Sequence, residues 1–520
     1  MIRLFRSFAL FLTILLVFSL CSCGNPPEAP SSPEGTTQTP DVAPVAPPSN
    51  GGSGPTDPYE DTEPEYVEPI PKTKLSFTYN DLLEGTLAPK GTARLMIIPI
   101  NLDGGAFFDQ TFMNALELRM NGTSDQTYNV YSVRDFFRTA SYGQFDITYE
   151  VMSTYRPQVT VAQWDAGKDQ YIYDYMYAAY RHALDNDSGS YKRFDSDGDD
   201  CIDGVIFVIN APEDSTPVGA GFRLKTYSWD LANFTGYPPF KYASMIKISE
   251  IAIDENGYYS DNNLTSMVGH AFGLEPYYDS MGMINPISSF DMQSGKMGDW
   301  NSFSKMSVGW LDPYVITPDT DSVTLKLRCS AEYGDAILIP AGDEWNGTPF
   351  DEYFLVDVFA GRGNNAKCWD FYAEGPNLRG GVRLLHVDAK MVGIDYYGNY
   401  TGYITDFENP IKGNPSTVVA AYSNTYRTDT SNDPICSEMN ADMHFLTWIP
   451  AHGSIEAGYD LNTEWLFALG ETFSTYNYST EYFPYFPYMD HWTICDYEFR
   501  VDSYDAEKAE AVVTVYRVDN

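Results

Sequence analysis

The hydrophobic pattern of the chain changes character near its middle. Before residue 313, strand-like and helix-like periods alternate. Ala93 to Leu102 (A-R-L-M-I-I-P-I-N-L) is a near-continuous apolar run, the pattern of a strand buried on both faces, although Pro99 argues against a central place in a sheet. Ser132 to Ala140 (S-V-R-D-F-F-R-T-A) predicts a helix: Ser132 can cap it, Asp135 suits the first turn and Gly143 follows as a stop. Phe145, Ile147, Tyr149 and Val151 alternate with polar residues, which predicts a half-buried strand. Asp169 to Leu184 carries Tyr173, Met176, Tyr177 and Tyr180 at helical spacing, a stripe expected to face a core. Gly204 to Asn210 (G-V-I-F-V-I-N) is a further buried strand.

After Pro313 helical periodicity is scarce. Val323 to Leu327, Ala336 to Pro340, Tyr353 to Phe359, Gly381 to Val387 and Ala511 to Val518 are short strands separated by Gly-, Asn- and Asp-rich turns. The fold class expected is α+β: an α and β domain over residues 72–317, followed by one or two β-sandwich modules over residues 318–520.

The N-terminus reads as a targeting segment. Arg3 and Arg6 precede the short apolar run Phe8 to Leu20, which ends in L-C-S-C. This resembles a bacterial lipoprotein cleavage box: residues 1–22 would be the signal peptide and Cys23 the lipidated residue. Residues 23–71, rich in Pro, Ser, Gly, Thr and acidic side chains, form an expected disordered tether. The expected location is the bacterial cell surface, outside the cytoplasm, with the membrane reached through the lipid anchor.

Charge narrows the partners. The formal net charge is −40, and losing residues 1–22 removes two more positive charges. So acidic a chain repels phosphates, so nucleic acid is excluded. Beyond the leader stand Cys201, Cys329, Cys368, Cys436 and Cys495, an odd count that sequence cannot pair.

Three stretches could carry chemistry. The first is D-S-D-G-D-D-C-I-D, with Asp195, Asp197, Asp199 and Asp203 around Gly198. Carboxylates this close repel unless a cation joins them, and oxygen ligands suit calcium. The loop departs from an EF-hand, having Gly at the fourth place and no Glu at the twelfth; the alternative is a solvated acidic turn. The second is L-T-S-M-V-G-H-A-F-G-L-E-P-Y-Y-D, residues 264–279. A zinc-protease helix reads H-E-x-x-H, two imidazoles one turn apart with a glutamate base between them. Here His270 occupies the second His position, while Ser266 and Met267 replace the first His and the Glu. The third is the aromatic run 476–492, where Tyr485, Tyr488 and Trp492 are candidates for gripping a sugar or peptide; the alternative is strand core. His386, His444, His452 and His491 show no ligand spacing.

Ordered blocks from Ala93 to Asp388 resemble the immune inhibitor A-type secreted metallopeptidases (peptidase family M six). Residues 130–148 are similar to that family's S-V-x-D-Y-Y-x-x-x-S-Y-G block, 194–208 to its calcium-type loop and following strand, and H-A-F-G-L-E-P-Y-Y-D to the second half of its zinc helix. F-D-M-Q-S-G (290–295), F-S-K-M-S-V-G-W-L (303–311) and the segments 352–358 and 380–388 follow in order. The resemblance implies a zincin-like domain with Asp291 and Met292 packed beneath the helix. It also implies that the third zinc ligand falls on Pro276, so that first His, base and third ligand are all replaced.

The expectation is therefore a surface-anchored pseudopeptidase that binds a peptide, protein or glycan. Calcium is the expected cofactor and zinc is not. The alternatives are an active secreted metalloendopeptidase using His270 with Glu275 or Asp279, and a structural cell-surface module.

Overall fold

The structure, a computed structural model, describes residues 69–82, 87–105, 108–122, 131–211, 222–223, 236–251, 262–274, 277, 287, 290–295, 297–341, 345–367, 380–394, 400–404, 418–420, 445–452, 466–474 and 495–518. Strand β1 (Gly91–Ile100) is followed by helices α1 (Gln110–Asn121) and α2 (Val133–Ala140), β2 (Phe145–Val151), α3 (Val161–Asp185), β3 (Ile202–Ile209), β4 (Phe222–Arg223), β5 (Phe240–Lys247) and α4 (Asn263–Ala271). The strands form one sheet in the order β2-β1-β3-β5-β4. β1, β2, β3 and β5 run parallel and β4 runs antiparallel on the edge.

Local chemistry explains these elements. Ser132 accepts a hydrogen bond from the Asp135 amide and starts α2, as expected of an N-cap serine. A capping box of Thr160 and Gln163 starts α3, so this helix begins at Val161 rather than near Asp169. β1 is central despite Pro99. The Pro99 carbonyl accepts from the Tyr155 amide, and in a parallel ladder the N–H of the same residue points the same way. Proline's missing donor thus falls past Val151, where β2 has ended. The sequence reading passed over β5, whose eight residues are all buried.

The first sheet is covered on both faces. Leu95, Ile97, Ile206, Val208, Tyr242 and Ile246 face a core shared with α1, α2 and α4. Met96, Ile98, Val205, Phe207 and Met245 face the opposite core, filled by Met176, Ala179 and Tyr180 of α3. Two-sided burial is why β1 and β3 read as continuous apolar runs.

Helix α5 (Ser302–Ser307) leads into β6 (Tyr314–Val315), β7 (Ser322–Arg328), β8 (Ala336–Pro340), β9 (Glu352–Phe359), β10 (Gly381–Asp388), β11 (Met391–Ile394), β12 (Tyr400–Tyr403), β13 (Val418–Ala420), β14 (Leu446–Ile449), β15 (Thr472–Phe473), β16 (Tyr497–Asp505) and β17 (Glu510–Arg517). A five-stranded sheet, β14-β10-β9-β8-β6, faces a four-stranded sheet, β15-β16-β17-β7. Leu325, Phe499 and Val513 of the smaller sheet meet Ile337, Val356 and Leu384 of the larger in one core. The described residues beyond 313 thus contain one two-sheet sandwich, with β11, β12 and β13 forming a small third sheet.

The larger sheet is also buried on its other face. Leu338, Leu355, Leu385 and Trp448 pack against Tyr277, Phe290, Phe303 and Met306. Polar bonds cross the same layer: Tyr142 donates to the Ser330 carbonyl at 2.6 Å, and Asn364 donates to the Phe136 carbonyl at 3.0 Å. Residues 66–520 form one compact unit, and its described residues combine several sheets with fewer helices, compatible with an α+β class.

Candidate functional site

Helix α4 carries the first candidate site. Leu264, Val268 and Ala271 bury against the first sheet, with Met292 in the same core. Its N-terminus has no side-chain cap. Asn262 instead accepts from the buried guanidinium of Arg119 on α1 at 3.1 Å, which ties the two helices together.

The three diagnostic positions of this helix have separate local partners. Ser266 donates from Oγ to Oε1 of Gln293 at 3.0 Å. The Met267 sulfur accepts from the Ser244 hydroxyl of β5 at 2.9 Å. His270 donates from Nδ1 to the Leu274 carbonyl at 2.7 Å, which fixes the tautomer whose Nε2 is basic, the arrangement used by metal-ligating histidines. His270 is half-buried, and Ser266 is buried.

Gln293 is a residue the sequence reading did not single out. Its side chain is buried, and its approach to the helix needs the glycine at 269. A Cβ there would stand 2.5 Å from Gln293 Nε2. The turn that carries Gln293 is held by Asp291, which accepts from the amides of Gln293 (2.8 Å) and Asn301 (2.9 Å) and from Asn301 Nδ2 (2.8 Å). Burial pushes the Asp291 carboxyl up to about 6, against the pull of these donors. The only signal for Gln293 was its place in F-D-M-Q-S-G.

Pro276, Glu275 and Asp279 lie outside the described residues, as do Cys23, the leader and tether up to residue 68, and Tyr485, Tyr488 and Trp492. Among the described residues, His270 belongs to no cluster of His, Cys, Asp or Glu that could hold a metal ion.

The acidic loop is the second candidate. It follows a one-turn helix, Tyr191–Phe194, and runs into β3. Asp195 organises it: Oδ1 accepts from the amides of Gly198 and Asp199, and Oδ2 from that of Asp200. Ligand oxygens of Asp195, Asp197 and Asp199 lie within 4.8 Å of one another, a grouping that could hold a metal ion.

Asp203 is placed differently. It belongs to β3, is fully buried, and accepts from the Ser196 amide. The register that pairs Ile202 with Phe240 and Gly204 with Tyr242 puts Lys241 of β5 beside it. Lys241 Nζ lies 2.5 Å from Asp197, 3.6 Å from Asp199 and 3.6 Å from Asp203. The two ends of this network respond oppositely to their surroundings. Burial raises the Asp203 carboxyl, toward its neutral form, although Lys241 opposes this. Burial alone would lower Lys241, but the carboxylates outweigh it and the ammonium is held charged. Lys241 was legible only as one of two lysines in a mostly apolar segment, F-K-Y-A-S-M-I-K.

Of the other described histidines, His182 Nδ1 lies 3.2 Å from the Asn186 amide nitrogen, and His386 and His452 have carboxylate neighbours. His386 Nε2 lies 3.2 Å from buried Glu352, and His452 Nε2 lies 2.7 Å from Glu471. No family model matches the chain. No curated protein matches it either.

Proposed function

We propose that the chain is a surface-anchored relative of the immune inhibitor A-type metallopeptidases that has lost zinc-dependent peptide hydrolysis and serves as a binding protein for a peptide, protein or glycan. The observation that carries this reading is the state of α4. At the position of a first zinc histidine, Ser266 spends its hydroxyl hydrogen on Gln293. At the position of the glutamate base, Met267 has no titratable group and packs its sulfur on Ser244. A catalytic zinc site needs three protein ligands and a base for its water, and these two positions supply neither.

The zincin-like character of the first domain belongs to the same proposal. It is supported by the parallel sheet with an antiparallel edge strand, by α4 packed on that sheet, and by Asp291 and Met292 buried beside the helix.

The test is zinc content of the purified protein by elemental analysis, with a casein or gelatin assay with and without chelator. The expected result is no stoichiometric zinc and no chelator-sensitive cleavage. Stoichiometric zinc with chelator-sensitive cleavage would sink the reading in favour of an unconventional site at His270. The variant combining Ser266→His, Met267→Glu and Pro276→Asp is expected to gain zinc; a folded triple variant that binds none would overturn the alignment of this helix.

A further inference from the structure

The acidic loop raised a problem of charge: five aspartates at positions 195, 197, 199, 200 and 203 cannot be held together in the folded state without a cation. Calcium was the expected answer. The fold contains another. Lys241 is 1% exposed at its side chain, and its ammonium reaches Asp197, Asp199 and the fully buried Asp203 at once. On the outer side, Lys192 pairs with Asp200 and lies 3.9 Å from Asp195.

We infer that the Lys241 ammonium is the resident counter-cation of the 195–203 loop, paired with Asp197, Asp199 and Asp203, so that the loop is ordered without a metal ion. Three features carry this. An ammonium has three donors, and three separate carboxylates surround this one. Its position is dictated by strand register rather than by a flexible surface side chain, because Lys241 and Asp203 are side by side on paired parallel strands. A buried ammonium also demands compensation of its own, so the loop and the lysine each supply what the other lacks. A divalent cation among Asp195, Asp197 and Asp199 would have to sit close to a fixed positive charge, which disfavours its binding.

The consequence is a tether. Lys241 ties the loop between α3 and β3 to β5, the strand whose Ser244 touches Met267 of α4. Loop order is then set by a covalent part of the chain and does not respond to the surrounding calcium concentration.

The test uses the whole purified chain. Calorimetric titration of the wild type with calcium is expected to show no binding in the range up to about 1 mM typical of extracellular calcium modules, and melting is expected to be the same in calcium and in chelator. Lys241→Met is expected to melt several degrees lower in chelator and to recover most of that loss in calcium, because the metal can enter the vacated position. Submillimolar calcium binding by the wild type that disappears in Asp195→Asn would overturn the inference. A Lys241→Met protein that melts like the wild type in chelator, or whose melting ignores calcium, would overturn it too. If Lys241→Met does not accumulate in folded form, the wild-type titration decides alone.

Discussion

Ser266 hydrogen-bonds to Gln293 at 3.0 Å, joining helix α4 to the turn that Asp291 holds. Both side chains are buried, so neither can exchange this contact for water. Removing one partner strands the other. Ser266→Ala is expected to cost about 1–3 kcal/mol, the price of an unsatisfied buried amide oxygen. Ser266→Ala combined with Gln293→Leu is expected to cost less than the sum of the two single changes. Urea unfolding of the four proteins checks this, and strict additivity would show that the pair is not coupled.

Asp291 makes stability depend on pH in an unusual direction. Its carboxyl is pushed up to about 6 in the folded protein, above the ordinary range near 3.9. The folded state therefore takes up a proton more readily than the unfolded one. The contribution is complete below the ordinary carboxylate range and is lost as pH rises through 6. Relative to Asp291→Asn, the wild type is expected to gain up to about 1.4 kcal/mol per pH unit as pH falls from 6 toward 4.5. Using the difference between the two proteins cancels the opposite trend of carboxylates held low by their partners, such as Asp146 beside Arg134. A difference that is flat across this range would show that Asp291 stays ionised.

Asp200 has a φ of 68°, in the left-handed region that favours glycine. Asp200→Gly is expected to stabilise the protein by about 1 kcal/mol. The Lys192 pair it would lose is exposed on both sides and is worth little. Thermal melting at neutral pH is the measurement, and a lower Tm for the variant would contradict it.

Cys201, Cys329 and Cys495 are buried. Burial pushes the thiols of Cys329 and Cys495 up to about 12, far from the reactive thiolate form. All three are expected to resist a thiol reagent at pH 8 in the native protein and to react on unfolding. Peptide mapping separates them from Cys368 and Cys436; rapid native labelling at any of the three would refute the placement.

Much of the secondary structure was readable in the chain. The capped helix from Ser132 and the apolar runs of β1, β3, β8, β9 and β10 all stand where period and capping put them. Three failures have physical causes. Pro99 looked unsuited to a central strand because sequence does not show where the neighbouring strand stops. The start of α3 was missed because Thr160 and Gln163 act through geometry rather than hydrophobic period. β5 was missed because Lys241, Ser244 and Lys247 interrupt its apolar pattern, yet all are buried.

The candidate sites divide along the same line. The residues of helix α4, with Ser266, Met267 and His270 at fixed spacing, were determined by sequence alone, because one turn of helix brings positions four apart onto one face. The acidic loop was equally plain, since its carboxylates are neighbours along the chain. Only the tertiary structure decided what answers them. Gln293 is 27 residues from Ser266, and Lys241 is 44 residues from Asp197. Such partners meet through strand register and through turns that pack beneath a helix, and those depend on the burial of whole layers rather than on any local pattern of residues.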